Sequence, residues 1–162
     1  MKAKIADKID PIKKPLFARP GFLIRRLHQI HVTMFLEEFK SENVTPVQYG
    51  LLSAVAALPG LDQTALGQEV GLDRTTTADV VKRLEERGLL ERHPNPADRR
   101  TRHVQLTAEG HELVIALHGD MMRAQERLLE PLREAERIML MDMLRRLVEA
   151  NNQYSRTILR GI

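Results

Sequence analysis

The run from Asp62 to Gly110, DQTALGQEVGLDRTTTADVVKRLEERGLLERHPNPADRRTRHVQLTAEG, constrains the fold more than any other part of the chain. It orders a short helix, a Gly turn, a second helix, a strand, a Pro- and Arg-rich loop and a second strand. That order describes a helix-turn-helix with a β-wing, an arrangement suited to gripping double-stranded DNA. The spacing of Leu66 and Val70 predicts a helix over Thr64–Val70, capped by Thr64 or, with an earlier start, by Asp62. Gly71 breaks that helix. Asp73 can cap a second one, which runs from Arg74 to about Arg87 before Gly88 stops it.

The second helix has two faces. Thr77, Val80, Val81 and Leu84 turn inward at helical spacing. Arg74, Thr75, Thr76, Asp79, Lys82, Arg83 and Glu86 turn outward. The first turn thus carries a cation and three hydroxyls, groups that suit phosphates and base edges, with Arg74, Thr75 and Thr76 the DNA-contact candidates. A solvated helix surface is the competing reading, since exposed charge runs are common.

The wing shifts the balance. Leu89-Leu90 leads into one strand, and Val104-Gln105-Leu106 alternates as a half-buried second strand. Between them, Pro94 and Pro96 stiffen the loop from His93 to Arg100, while Arg99, Arg100 and Arg102 crowd its tip and return strand. Clustered arginines repel one another unless a polyanion meets them, and arginine on a narrow loop suits the negative potential of a narrow minor groove. Asp98 can hold one of them in a bidentate pair.

With these residues in view the chain resembles the MarR family of winged helix-turn-helix transcription regulators. Asp98 to Thr107, D-R-R-x-x-x-V-x-L-T, is close to that family's wing signature, and Leu84 to Arg92, LEERGLLER, is similar to the end of its recognition helix and first wing strand. The resemblance implies a mainly α fold with a small β-wing (α+β), long dimerisation helices and a homodimer. It implies that Arg74, Thr75, Thr76, Lys82, Arg83, Arg99, Arg100 and Arg102 meet DNA. Asp79 departs from the family pattern, where a basic or neutral residue is common. That carboxylate can accept from a cytosine amino group or pair internally with Lys82 or Arg83; the internal pair is the favoured use, and base preference stays open.

Composition adds bounds. The net charge of +3 is too small to argue for nucleic acid, and Asp62–Thr107 is neutral, with eight Lys/Arg against eight Asp/Glu. The DNA argument therefore rests on where cations sit. The chain has no Cys, which suits a reducing cytoplasm and excludes the sensor-cysteine oxidation known in the family. No long apolar run or leader pattern is evident. No Gly-rich phosphate loop, G-x-S-x-G elbow or H-E-x-x-H helix points to an enzyme or a cofactor, and the six scattered histidines do not suggest a metal site.

The organisation reads as one structural domain in four parts. Residues 1–19 form a basic arm. Residues 20–60 hold the dimerisation and effector-pocket helices, residues 61–107 the winged lobe and residues 108–162 the C-terminal dimerisation helices. Gly21 to about Phe39 is amphipathic, Thr45-Pro46 opens a second helix, and Thr107-Ala108-Glu109 opens another to about Leu129. The last helix is expected over about Glu134 to Leu159. Its apolar face, with Ile138, Met139, Leu144 and Leu147, exceeds what a small monomer can cover.

In this family an effector pocket, often for phenolic or other aromatic acids, lies between the dimerisation helices and the winged lobe. Phe22, Arg25, Arg26, His28, His31 and Tyr49 are the candidate lining residues here, cations and imidazoles for a carboxylate and aromatic rings for stacking. The segment Arg19 to Ile30 is similar to that of members controlling aromatic-acid catabolism, which implies an aromatic carboxylate or its CoA thioester as effector. His28 and His31 also fit a second reading, as core histidines on an apolar face. A DNA-binding regulator with no small-molecule effector, answering to a protein partner or acting architecturally, is the alternative function.

Overall fold

The computed structural model describes residues 16–40, 42–96 and 100–159, apart from the side chain of Phe17. The arm at 1–15 therefore lies outside the described residues, as do Asp98 and Arg99 of the wing tip. Among the described residues six α-helices and two strands follow in order: α1 (Pro20–Glu38), α2 (Pro46–Ala57), α3 (Gln63–Val70), α4 (Arg74–Glu86), β1 (Leu90–Pro94), β2 (Arg102–Leu106), α5 (Ala108–Leu129) and α6 (Glu134–Asn151). The fold is mainly helical with a two-stranded wing, as expected.

Local capping chemistry sets most boundaries. Thr45 and Gln48 close a reciprocal box at the start of α2, the Thr45 Oγ1 accepting from the Gln48 amide at 3.2 Å and Gln48 Oε1 accepting from the Thr45 amide at 3.0 Å. Asp62, the second of the two expected caps, starts α3 by accepting from the Ala65 amide at 2.8 Å. Asp73 does the same for α4 with the Thr76 amide at 3.0 Å, and Thr107 for α5 with the Gly110 amide at 3.0 Å. Gly71 ends α3 in the left-handed region at φ 71°.

The helix-turn-helix is tight because α3 crosses α4 at Gly67. A Cβ there would stand 2.6 Å from Thr77 Oγ1 and 3.0 Å from the Leu72 carbonyl oxygen, so only glycine fits. Buried Leu51, Leu52 and Val55 of α2, Leu66 of α3, Val81 and Leu84 of α4, and Leu89, Leu90 and Val104 of the wing form the core of this lobe. β1 and β2 pair antiparallel from Leu90 opposite Leu106 to Pro94 opposite Arg102. The Leu61 carbonyl accepts from the Val104 amide at 3.0 Å, which stitches the α2–α3 loop to the sheet. A second core, Phe35, Phe39, Val44, Tyr49 and Leu117, joins α1, α2 and α5.

Two boundaries differ from expectation. β1 extends through His93 and Pro94, which the sequence assigns to the loop; Pro94 is tolerated because a two-stranded sheet has only edges. α6 ends at Asn151, well before Leu159. Asn152 turns its amide onto Leu159, donating to its carbonyl and accepting from its N–H, each at 3.0 Å. This side chain offers the backbone an alternative to helix, which is how Asn commonly stops one.

No residue of α6 is buried, and Ile138, Met143 and Leu147 are each half exposed or more, at 66%, 50% and 55%. On α1, Leu23 and Leu27 are likewise exposed at 50% and 45%. Among the described residues no helix is long and apolar enough to cross a membrane.

Candidate nucleic-acid interface

Asp73 organises the first turn of α4. Beyond capping the helix, its carboxylate accepts from the Thr76 hydroxyl at 2.7 Å. The Thr76 amide, then that hydroxyl, hold the Asp73 carboxyl below the usual carboxylate range. Thr77 is buried, and its hydroxyl donates to the Asp73 carbonyl at 2.8 Å. Thr77 is therefore internal, on the inward face the sequence assigns it, and the Thr76 hydroxyl is engaged as a donor to Asp73. Thr75 keeps an unengaged hydroxyl among the described residues, next to exposed Arg74.

The next turns present Lys82 and Arg83, both exposed. Lys82 reaches Glu86 at 3.8 Å, a weak pair between largely exposed groups. The expected pairing of Asp79 with Lys82 or Arg83 is not among the ion pairs of the described residues; one further turn of helix brings Glu86 to Lys82 instead. At the far end, Arg87 donates to the carbonyl oxygens of Glu42 and Asn43, each at 3.0 Å, and anchors α4 to the α1–α2 loop.

The wing is joined to the same helix. Arg92 of β1 pairs with Glu85 of α4 at 2.7 Å. At the tip, the Asn95 amide donates to the Thr101 carbonyl at 3.1 Å, and Asn95 Nδ2 donates to the Thr101 hydroxyl at 3.0 Å. Arg100 and Arg102 are exposed on the return side of this closed loop. Sequence reading missed the Glu85–Arg92 link, because it joins residues on different elements whose mutual placement only the fold supplies.

The effector candidates divide into groups. Ile24, Leu27, His28 and His31 share one stripe of α1 at helical spacing and line a cavity of about 590 Å³ with residues of α5 and α6, among them Gln125, Leu128, Leu140 and Leu144. Arg26 lies on a different stripe with Gln29, Ile30 and Thr33, over a smaller cleft shared with Arg127. Arg25 lies over the ring of Phe22, 5.4 Å from its centroid. Tyr49 is buried against Phe39, with centroids 5.3 Å apart. The structure thus brings His28 and His31 together but not the other four. Burial, then the charge of His28, push the His31 imidazole below its ordinary pKa. The α5–α6 half of the cavity comes from residues about a hundred positions away, which no local pattern could connect to α1.

A recognition helix with an exposed basic face, braced to a closed basic wing, defines a winged helix-turn-helix regulator. The comparisons with known proteins agree. The MarR family model matches residues 42–101. The chain is similar to the transcriptional regulator HosA of Escherichia coli, with 33% identity over 78% of this chain and 93% of the relative. It also overlays the PcaV transcriptional regulator of Streptomyces coelicolor in complex with its natural ligand, with a TM-score of 0.78 and 40% identity over 85% of this chain and 96% of that one. The BpsR of Bordetella bronchiseptica, whose DNA binding is regulated by 6-hydroxynicotinic acid, overlays with a TM-score of 0.79 and 28% identity over 83% and 96%. The chain belongs to the MarR family of winged helix-turn-helix transcription regulators, which are not enzymes.

Proposed function

We propose that this protein is a homodimeric repressor that holds a pseudo-palindromic operator and releases it when a small aromatic acid, or its CoA thioester, binds. The observation that carries the DNA half is the first turn of α4. Arg74 and Thr75 stand exposed there, on a helix that the Glu85–Arg92 pair braces against the wing bearing Arg100 and Arg102. Arg99, outside the described residues, belongs to the same proposed contact set, as do Thr76, Lys82 and Arg83. Thr76 can still accept a hydrogen bond while its proton is held by Asp73.

The uncovered apolar faces of α1 and α6 support the dimer, since a lone chain would leave Leu23, Ile138 and Leu147 in water. The cavity beside His28 and His31 supports the effector half. It is largely apolar, large enough for a substituted ring, and offers imidazoles to a carboxylate. Regulation of BpsR by a heteroaromatic acid adds to that reading. Phe22, Arg25, Arg26 and Tyr49 remain proposed effector contacts only through rearrangement on binding or through a second subunit.

The test uses the full-length protein and duplexes tiled upstream of its own gene. Hydroxybenzoates, hydroxynicotinates, hydroxycinnamates and their CoA thioesters are screened by thermal shift, then by fluorescence anisotropy on the bound duplex. One of them should raise Tm and weaken DNA binding roughly 5–150-fold at saturation, the range of ordinary allosteric coupling. DNA binding that no compound alters would leave the effector-free regulator as the correct reading.

A further inference from the structure

After α6, the segment 152–159 folds against the helix-turn-helix. Asn152 pins Leu159 through both backbone groups, each at 3.0 Å. Leu159 in turn sits over the α3–α4 turn, with its Cδ2 3.1 Å from where a Cβ on Gly71 would lie. The dimerisation helix and the DNA-reading turn are therefore joined by a short closed loop of chain.

That loop borders a cleft of about 370 Å³, whose rim includes Thr64 of α3, the capping Asp73, Arg74 of α4, and Arg156 and Thr157 of the tail. The Asp73 carboxylate accepts from the Thr76 amide and hydroxyl, and the nearby charge of Arg156 adds a smaller pull on it. Arg156 is exposed and makes no hydrogen bond or ion pair within 4.0 Å among the described residues. Arg156 and Arg74 line the same cleft, at the start of α4.

In a docked helix-turn-helix, the start of the second helix enters the major groove while the first helix crosses the backbone. A cation held between the starts of both helices meets the phosphates that flank the groove. We propose that Arg156, presented by the C-terminal tail, is an additional contact to the operator's phosphate backbone, outside the helix-turn-helix and the wing. This rests on the DNA-binding reading above and extends the interface to a segment that the family motif does not cover. The contact carries no base information, so it strengthens specific and random duplexes alike.

The experiment measures binding of the full chain to specific and random duplexes across a salt series, for wild type, Arg156→Ala, Arg156→Lys and Asn152→Ala. Each lost phosphate contact reduces the steepness of the log K against log salt plot by about 0.9, so two tails in a dimer give about 1.8. That corresponds to roughly thirtyfold weaker binding at about 0.15 M salt. Arg156→Ala should show both changes on both duplexes with Tm unchanged, Arg156→Lys should restore most of the slope, and Asn152→Ala should lose it with the charge still present. An Arg156→Ala protein with the wild-type slope overturns the inference, including the case where Tm and affinity fall together because the tail merely braces the turn. If Arg100→Ala still weakens binding in that case, DNA recognition stands and only the tail contact fails. A wild-type protein that binds no duplex would fail the broader reading instead.

Discussion

The Arg92 guanidinium of the first wing strand lies 2.7 Å from the Glu85 carboxylate of α4. Their side chains are only 30% and 27% exposed, so the pair is less screened than a surface bridge. The pair ties the first wing strand to α4. Glu85→Gln and Arg92→Lys are expected to weaken operator binding with only a small loss of Tm. A double-mutant cycle on operator affinity should give a coupling of about 0.5–1 kcal/mol. Additive effects in that cycle would show that the wing is oriented by other contacts.

Arg100→Ala is expected to weaken operator binding by about 1–3 kcal/mol, the cost of a lost groove contact. Arg102→Ala should cost less, because Arg102 starts β2 opposite Pro94 rather than at the tip. Anisotropy titrations of both variants check the order. If Arg99→Ala gives the larger loss, the inserted side chain is Arg99.

Lys82 and Arg83 lie beyond the first turn of α4 and should act through phosphates. Replacing either with Ala is expected to weaken all duplexes similarly and to reduce the salt slope by about 0.9 per contact. Thr75 should influence sequence preference more than Thr76, whose hydroxyl proton is committed to Asp73. Binding to single-base operator variants measures this. A base-selective loss from Lys82→Ala would contradict the assignment.

Much of this architecture was legible because its signals are local. Asp73 and Gly88 bracket α4, Thr45-Pro46 opens α2 and Thr107 opens α5, each through chemistry within a few residues. The wing strands and the DRR run were readable for the same reason. What escaped depends on distant partners. Nothing near Gly67 announces that Thr77 will press against it. The end of α6 depends on Asn152 finding Leu159, seven residues on. The face of α1 that meets α5 and α6 decides which candidates line a cavity, and it separates His28 and His31 from Arg26 and Tyr49.

His31 supplies a pH test. Its imidazole stands edge-on to Phe35, with centroids 6.4 Å apart, and its pKa lies below the ordinary value of 6.5. As pH falls below that value the unfolded chain takes up a proton that the folded chain still refuses, so stability falls with pH through this window. Tm should be constant above it, and His31→Gln should flatten the decline. An aromatic carboxylate seated beside His31 should favour the charged form and bind more tightly on the acid side. An unchanged Tm profile in His31→Gln would mean that another group controls the slope. Unchanged effector affinity in the same folded variant would remove His31 from the site.

Selection from a random duplex library with the full-length protein should enrich one motif made of two inverted half-sites, with centres about one helical turn, roughly 10 base pairs, apart. The enriched duplex should be released by an aromatic acid found in the thermal screen. A folded protein that enriches no sequence over the input library would not be an operator-binding repressor.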